Sequence, residues 1–314
     1  MSKIAVCYFS YHKDVDFLNE SLKVLEHTIK KHPEHEVRVY VFDDGRCDKS
    51  IKKKELFGKP TLIKTSFDRM GNLNGYDCID GMFKEYKKIS EKFDYDYLVK
   101  LDSDCCLNSF EYIKRIEDFF KEHNMDVKQL SQFGSYFTGC CVYGCCQTFG
   151  KIGVAAICNL FNTMNNPTHE NAIMMKKRVV NGFNEDKVVS FLLEMSPTLK
   201  ANIDALPNFK GHCNAFIFPQ DTDYSQFTSV AFKPNYFIPI KDWTREKSLE
   251  IMKNYSKQVC GYRSAVNSFW YGSPLGILEN LCITSFIKNG FEFHLWSYDP
   301  NVIVPQGCIV HDAN

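Results

Sequence analysis

Two carboxylates one residue apart, Asp102 and Asp104, follow directly on the apolar run Tyr97–Leu101 in the stretch YLVKLDSDCCL. Like charges this close repel each other unless a cation or a bound ligand lies between them. Oxygen ligands at that spacing can chelate Mg2+ or Mn2+ and still leave coordination positions open for a diphosphate. A second acidic tip, Asp43 and Asp44, ends the run EVRVYVFDDG. If both runs are strands of one sheet, the two acidic tips face one crevice.

The elements that would position these acids are legible from periodicity. KIAVCYFSY reads as a strand, and DVDFLNESLKVLEHTIKK as a helix with Val15, Leu18, Leu22, Leu25 and Ile29 on one stripe. EVRVYVFDDG and TLIKT read as further strands, and a long helix over 76–93 carries Ile79, Met82, Phe83, Tyr86 and Ile89 on one face. The stretch 96–101 is short and too apolar for a surface loop, so it is expected as a central strand covered on both faces. Strands alternating with helices imply an α/β architecture with a largely parallel sheet, whose ligands bind at the carboxyl ends of the strands. Further on, NEDKVVSFLLEM predicts a helix with Asn184 as N-cap, where Glu185 and Asp186 suit the helix macrodipole. The last fifth again reads strand, Gly/Pro loop, helix, strand, with Leu275, Leu278, Leu281, Cys282 and Phe286 as the expected helix face.

Composition narrows the function classes. Lys plus Arg and Asp plus Glu number 38 each in 314 residues, so no basic surplus points to nucleic acid or to anionic lipid. No apolar stretch reaches the roughly 20 residues of a membrane span, and MSKIAVCYF does not read as a signal peptide. The 14 cysteines include the vicinal pairs Cys105–Cys106, Cys140–Cys141 and Cys145–Cys146, and no C-x-x-C pair occurs. Neighbours on a strand point to opposite faces and make poor chelates, so these thiols are expected as reduced core residues. The chain is expected to be soluble and cytoplasmic.

With these motifs in order, the sequence resembles the GT-A glycosyltransferases, particularly the family-2-like users of nucleotide-diphosphate sugars. The resemblance rests on FDDGRCDKS, RMGNLNG, YLVKLDSD and NEDKVVSFLLE, which together cover about the first 210 residues. Arg46, where a small hydroxyl residue is usual, and Cys105 after the D-x-D depart from the pattern. The resemblance implies a GT-A fold, a mixed and mostly parallel sheet flanked by helices, over residues 1–245. It implies that Asp43 or Asp44 accepts a hydrogen bond from the nucleotide base. Ser10, Tyr11, Arg69, Gly71, Asn72, Gly75, Lys100 and Ser103 would border the donor. Asp102 and Asp104 would hold Mn2+ or Mg2+ against the departing nucleoside diphosphate. Asp186, with Glu185 beside it, would be the general base of an inverting displacement. A late histidine, His212 or its rival His311, would join the metal.

The tail from Gly261 to Asn314 resembles the opening of D-x-D sugar-transferase families whose first strand ends in W-x-G. It is expected either as the start of a second, incomplete α/β domain or as a C-terminal βαβ extension. Cysteine-rich fused transferases of this kind are similar to the multidomain glycosyltransferases of large algal DNA viruses. The activity implied is transfer of a hexose from UDP-galactose or UDP-glucose to a glycan or glycoprotein. Two alternatives stay open. One is a nucleotidyltransferase acting on a sugar phosphate, although its usual glycine-rich loop is replaced here by SYHKD. The other is a non-catalytic sugar-binding or scaffold module.

Overall fold

The computed structural model describes residues 1–44, 49–65, 75–134, 136–137, 141–142, 145–165, 188–189, 192, 211–216, 222–233, 243–261, 263–288, 291–299 and 301–313. The chain divides into two compact units, Met1–Leu249 and Glu250–Asn314. The division falls inside one helix, Arg245–Cys260, between the bounds 245 and 261 read from the sequence.

The first unit opens β1 (Lys3–Ser10), α1 (Val15–Lys31), β2 (Glu36–Asp43), β3 (Thr61–Lys64), α2 (Gly75–Lys92), β4 (Tyr97–Leu101), β5 (Cys105–Leu107) and α3 (Glu111–Glu122). It continues with β6 (Tyr136–Phe137), β7 (Cys141–Val142), β8 (Cys146–Gly150), α4 (Lys151–Met164), β9 (His212–Asn214) and β10 (Ser229–Ala231). The main sheet has the order β3-β2-β1-β4-β8. Its first four strands are parallel and β8 runs antiparallel to β4, which makes the mixed, mostly parallel sheet that was expected.

The side-chain alternation of β1 shows why it sits at the centre. Ala5, Cys7 and Phe9 enter one core, with α2 and α4, while Ile4, Val6 and Tyr8 enter the other, with α1 and α3. Each large apolar side chain buried there contributes about 1.5–3 kcal/mol, enough to fix the strand's register. The predicted stripe of α1 holds at Leu18, Leu22 and Leu25, which are buried, with Val15 and Ile29 partly so. On the same helix Ser21 donates to the Cys105 carbonyl and Thr28 to the Leu107 carbonyl. These bonds fasten β5, the strand that leaves the aspartate pair. β5 then pairs antiparallel with β10, and β10 parallel with β9, in a second sheet of order β5-β10-β9. The sequence placed strands and loops in this region but not that pairing.

Val188, Val189 and Leu192 of the predicted acidic helix are helical and fully buried in the core that contains α2 and α4. The cysteines at 7, 78, 105, 106, 145, 146, 158 and 213 are free and buried, as expected of small core residues. No helix among the described residues is long and apolar enough to cross a membrane.

The second unit begins in the helix Arg245–Cys260 (α5) and continues as β11 (Arg263–Trp270), α6 (Ile277–Lys288), β12 (Phe291–Ser297) and β13 (Cys308–Asp312). Its sheet, β11-β12-β13, is all parallel. The expected face of α6 needs correction. Ile283 is buried and Phe286 and Ile287 pack beside it, whereas Leu278 is 76% and Leu281 61% exposed and Cys282 is exposed; Leu275 lies before the helix. This helix is apolar nearly all the way round, so periodicity cannot select its buried side. On the sheet face away from that cluster, Phe269 and Trp296 are exposed, and the His311 ring stacks on both Trp296 and His294. A cleft of about 640 Å3 opens within this unit, bounded by Tyr271, Tyr298, Asp299 and Asn280. The aspartate pair is not part of it.

Gly153 in the first turn of α4 decides how closely that helix approaches the segment before it. A Cβ there would lie 2.3 Å from the Leu130 carbonyl oxygen and 3.0 Å from Ser131 Cα. Helix propensity alone favours alanine by about 1 kcal/mol, but the clash is with backbone that has no rotamer to give. Gly153→Ala is therefore expected to lower stability by about 1–3 kcal/mol. A fall in the urea midpoint checks this, and a rise would show that the helix can move away.

Candidate functional site

The carboxyl ends of β1, β2 and β4 meet at one edge of the sheet. Ser10 is opposite Asp43 in register, and Tyr8 is opposite Leu101, the residue before Asp102. All five residues of β4 are buried, including Lys100 at 1% exposure. A lysine in that position needs a partner, because an unpaired buried charge costs several kcal/mol. It has one at the strand tip: Lys100 Nζ donates to Asp102 Oδ1 at 2.6 Å.

The chain leaves β4 through a tight turn. The Cys105 amide donates to the Asp102 carbonyl at 3.1 Å, and the Asp102 amide donates to the Cys145 carbonyl at 3.0 Å. Between the aspartates, Ser103 Oγ donates to Ser10 Oγ at 3.0 Å and ties the turn to the tip of β1. On the far side, the Phe232 amide donates to the Asp104 carbonyl at 2.8 Å. That bond extends the β5–β10 pairing and delivers the next residue, Lys233, to the carboxylates. Its Nζ lies 2.5 Å from Asp102 Oδ2 and 3.6 Å from Asp104 Oδ1.

The repulsion inferred from the sequence is thus answered in part by two ammonium groups. Burial works against the charge of Lys233, but Asp102 and Asp104 outweigh it and raise its pKa well above the usual value. The side chain keeps 30% of its surface open to solvent, so water screens part of that attraction. Asp104 is the less satisfied partner. Its pKa is raised, by burial first and by Asp102 as well, with Lys233 opposing. Its Oδ1 is buried and has no hydrogen-bond partner among the described residues. An orphaned carboxylate oxygen beside a second carboxylate fits a divalent cation, which would meet the same need that the Lys233 ammonium meets at 3.6 Å.

The neighbouring tip is built differently. Asp43 Oδ2 accepts the Ile51 amide at 3.0 Å, and its carbonyl accepts both the amide and the hydroxyl of Thr65. Asp43 therefore also anchors the chain on either side of it. Asp44 is fully buried, and its amide donates to the Ser10 carbonyl at 2.8 Å. Tyr11 follows directly, its ring edge-on to His12.

The structure does not bring His212 to the aspartates. His212 starts β9, opposite Ser229, while Ala231 at the other end of β10 is the residue opposite Cys105. Its Nδ1 pairs with Ser229 Oγ at 3.0 Å, and no trio of ligand atoms among the described residues contains Asp102, Asp104 and His212. The rival, His311, belongs to the second unit, stacked on His294 and Trp296. Gly75 opens α2. Arg69, Gly71, Asn72, Glu185 and Asp186 lie outside the described residues. Sequence reasoning missed Lys233. The available signal was the charge balance itself, since a buried Lys100 and two strand-tip acids call for one more cation.

Neither a protein-family profile nor a curated protein matches the chain. By structure it is similar to a glycosyltransferase involved in glycosylation of the major capsid of PBCV-1, at 11% identity and TM-score 0.43, over 80% of this chain and 98% of that one. It is similar to the glycosyltransferase GlyE of Streptococcus pneumoniae TIGR4, at 12% identity and TM-score 0.43, over 100% and 81% of the two chains. The galactosyltransferase LgtC, solved with donor and acceptor sugar analogues, gives 13% identity and TM-score 0.45 over 82% and 95%.

His212 offers a test of the electrostatics around the pair. Its pKa is pushed down to about 3, by burial first and then by Lys233, with Asp102 pulling the other way. An unfolded imidazole takes its proton near pH 6.5, so acidification below that value loads the unfolded chain first and removes stability down to about pH 3. His212→Gln is expected to lose less stability than the wild type between pH 7.5 and 5, the difference approaching about 1.4 kcal/mol per pH unit once below pH 6.5. Urea midpoints at several pH values check it. Parallel pH profiles would mean that the imidazole protonates freely in the fold.

Proposed function

We propose that the first unit is a glycosyltransferase that moves a hexose from a UDP-sugar, UDP-galactose or UDP-glucose, to a hydroxyl of a glycan or glycoprotein. The observation that carries this reading is the orphaned Asp104 Oδ1, set beside Asp102 at the carboxyl edge of a mostly parallel sheet. That is the edge at which such sheets bind nucleotides. The motif order FDDG, LDSD and NEDK supports it.

In this reading Asp102 and Asp104 are the residues that hold Mn2+ or Mg2+, which would neutralise the charge of the departing UDP. Lys233 lies on the same carboxylates and can meet a diphosphate oxygen as a point charge. Lys100 holds Oδ1 of Asp102, so the ion would share Oδ2, the oxygen that also meets Lys233. Ser103 and Ser10 hold the turn in place. Asp43 or Asp44 receives the base edge, and the sequence order assigns Asp186, with Glu185 beside it, to deprotonate the acceptor for an inverting displacement. The second unit is read as a further α/β domain or as a C-terminal βαβ extension. Its parallel sheet presents Phe269 and Trp296 to solvent, on a face that parallel sheets ordinarily cover.

UDP release across a panel of UDP-sugars tests the proposal, with Mn2+ and with EDTA, for the wild type, Asp104→Asn, Lys233→Met and Asp186→Asn. One donor should give Mn2+-dependent release that falls about 100-fold or more with EDTA or with Asp104→Asn. Asp186→Asn should lower turnover by a similar factor without changing donor affinity. Release that persists in EDTA and is lost in Lys233→Met would transfer the cation's role to the lysine, a reading favoured by the 2.5 Å contact with Asp102. No release from any donor, with donor binding indifferent to metal and to Asp104→Asn, would overturn the assignment.

A further inference from the structure

The turn between α1 and β2 carries a second group of ligand-type side chains, independent of the aspartate site. His32, Glu34 and His35 each offer one ligand atom within 4.8 Å of the others, and no other trio among the described residues does so. The turn lies at the amino end of β2, whose carboxyl end bears Asp43. An eight-residue strand separates the two places by about 25 Å.

The contacts to Glu34 are those of hydrogen-bonded groups and are also compatible with ligands around a small ion. His32 Nδ1 lies 3.0 Å from Glu34 Oε1, and His35 Nε2 lies 3.6 Å from the same oxygen. Tetrahedral nitrogen and oxygen ligands about 2.0–2.1 Å from zinc sit about 3.3 Å from one another, a value these two distances bracket. Both imidazoles are set into the protein, with side chains 13% and 7% exposed, while Glu34 at 57% faces solvent and leaves room for a water ligand. Phe110 turns its ring against both imidazoles, with centroids 5.9 Å away in each case. Behind His32, Nε2 lies 3.4 Å from Ser109 Oγ and accepts the Phe110 amide at 3.4 Å, so in the metal-free chain the ring proton sits on Nδ1 and faces Glu34 at 3.0 Å. A metal at Nδ1 would replace that proton and shift it to Nε2, where Ser109 Oγ can accept it in place of the Phe110 amide contact. The buried Nδ1 of His35 has no hydrogen-bond partner among the described residues. Only the Glu34 contact therefore orients this ring in polar terms, and a metal at Nε2 would hold it.

We propose that His32, Glu34 and His35 form a three-ligand site for a zinc-class transition metal, completed by water, that clips the α1–β2 turn against the start of α3. Two imidazoles and one carboxylate favour Zn2+, Co2+, Ni2+ or Cu2+ over Mg2+ and Mn2+. The site thus differs in ligand chemistry from the all-oxygen aspartate pair, and it stands whether or not that pair serves glycosyl transfer.

Cobalt(II) is the probe, because its visible spectrum reports ligand type and coordination number. The full chain is titrated with Co2+ as wild type, His32→Gln, Glu34→Gln, His35→Gln and Asp104→Asn, with circular dichroism to confirm folding. The expected result is one tight equivalent of Co2+ with four-coordinate nitrogen/oxygen absorption, displaced by Zn2+, with any further Co2+ at the aspartate pair weaker and six-coordinate. Affinity for this four-coordinate equivalent should fall about 100-fold or more in either histidine variant and about 10-fold in Glu34→Gln, and stay unchanged in Asp104→Asn. Glu34 is exposed, so its variant keeps the test valid should a histidine variant misfold. Absence of Co2+ binding, thiolate-to-cobalt charge-transfer bands, or binding lost only in the aspartate variant would overturn the proposal.

Discussion

Everything at the carboxyl edge of the first unit depends on Asp102 holding two ammonium groups at once. Lys100 reaches it from within β4 and Lys233 from the end of β10, one on each carboxylate oxygen. Lys100 is almost wholly buried, so removing Asp102 would strand its charge in the core, where an uncompensated ion is far more costly than a missing surface pair. The same carboxylate therefore serves the packing of the central sheet and, in the proposed reading, the chemistry at its rim. It also couples two sheets, because Lys233 arrives only through the β5–β10 pairing and the Phe232–Asp104 backbone bond.

This network explains which parts of the fold were legible in the sequence. β1, α1, β2 and β4 announce themselves by local pattern: two-residue alternation into two cores, a leucine stripe, and an apolar run ending in acids. The acidic tips were found for the same reason, since each belongs to the strand that presents it. Lys233 was not found because its partner lies 131 residues away, and nothing near FKPN marks it. His212 misled for the complementary reason. Order along the chain put it after the acidic helix, but register put it at the far end of a strand pair, bonded to Ser229. The face of α6 was misjudged where the residues themselves were ambiguous, an apolar helix offering several sides to one small cluster of Ile283, Phe293 and Leu295.

The lysine and a divalent ion are not interchangeable answers to the same repulsion. Lys233 is covalently held, so its charge is present without any ligand, and it lets the aspartates sit together in the folded chain. A free ion adds a second positive charge and open coordination positions, but only when the carboxylates can turn to it. Asp104 Oδ1, buried and without a hydrogen bond among the described residues, is where the lysine's answer falls short: at 3.6 Å the ammonium relieves charge without forming a hydrogen bond. A protein gains nothing in stability from such an oxygen, whose desolvation is uncompensated. At the carboxyl edge of a mostly parallel sheet, where such sheets bind ligands, that asymmetry between Asp102 and Asp104 is the physical ground on which the proposal reads the pair as a cation site.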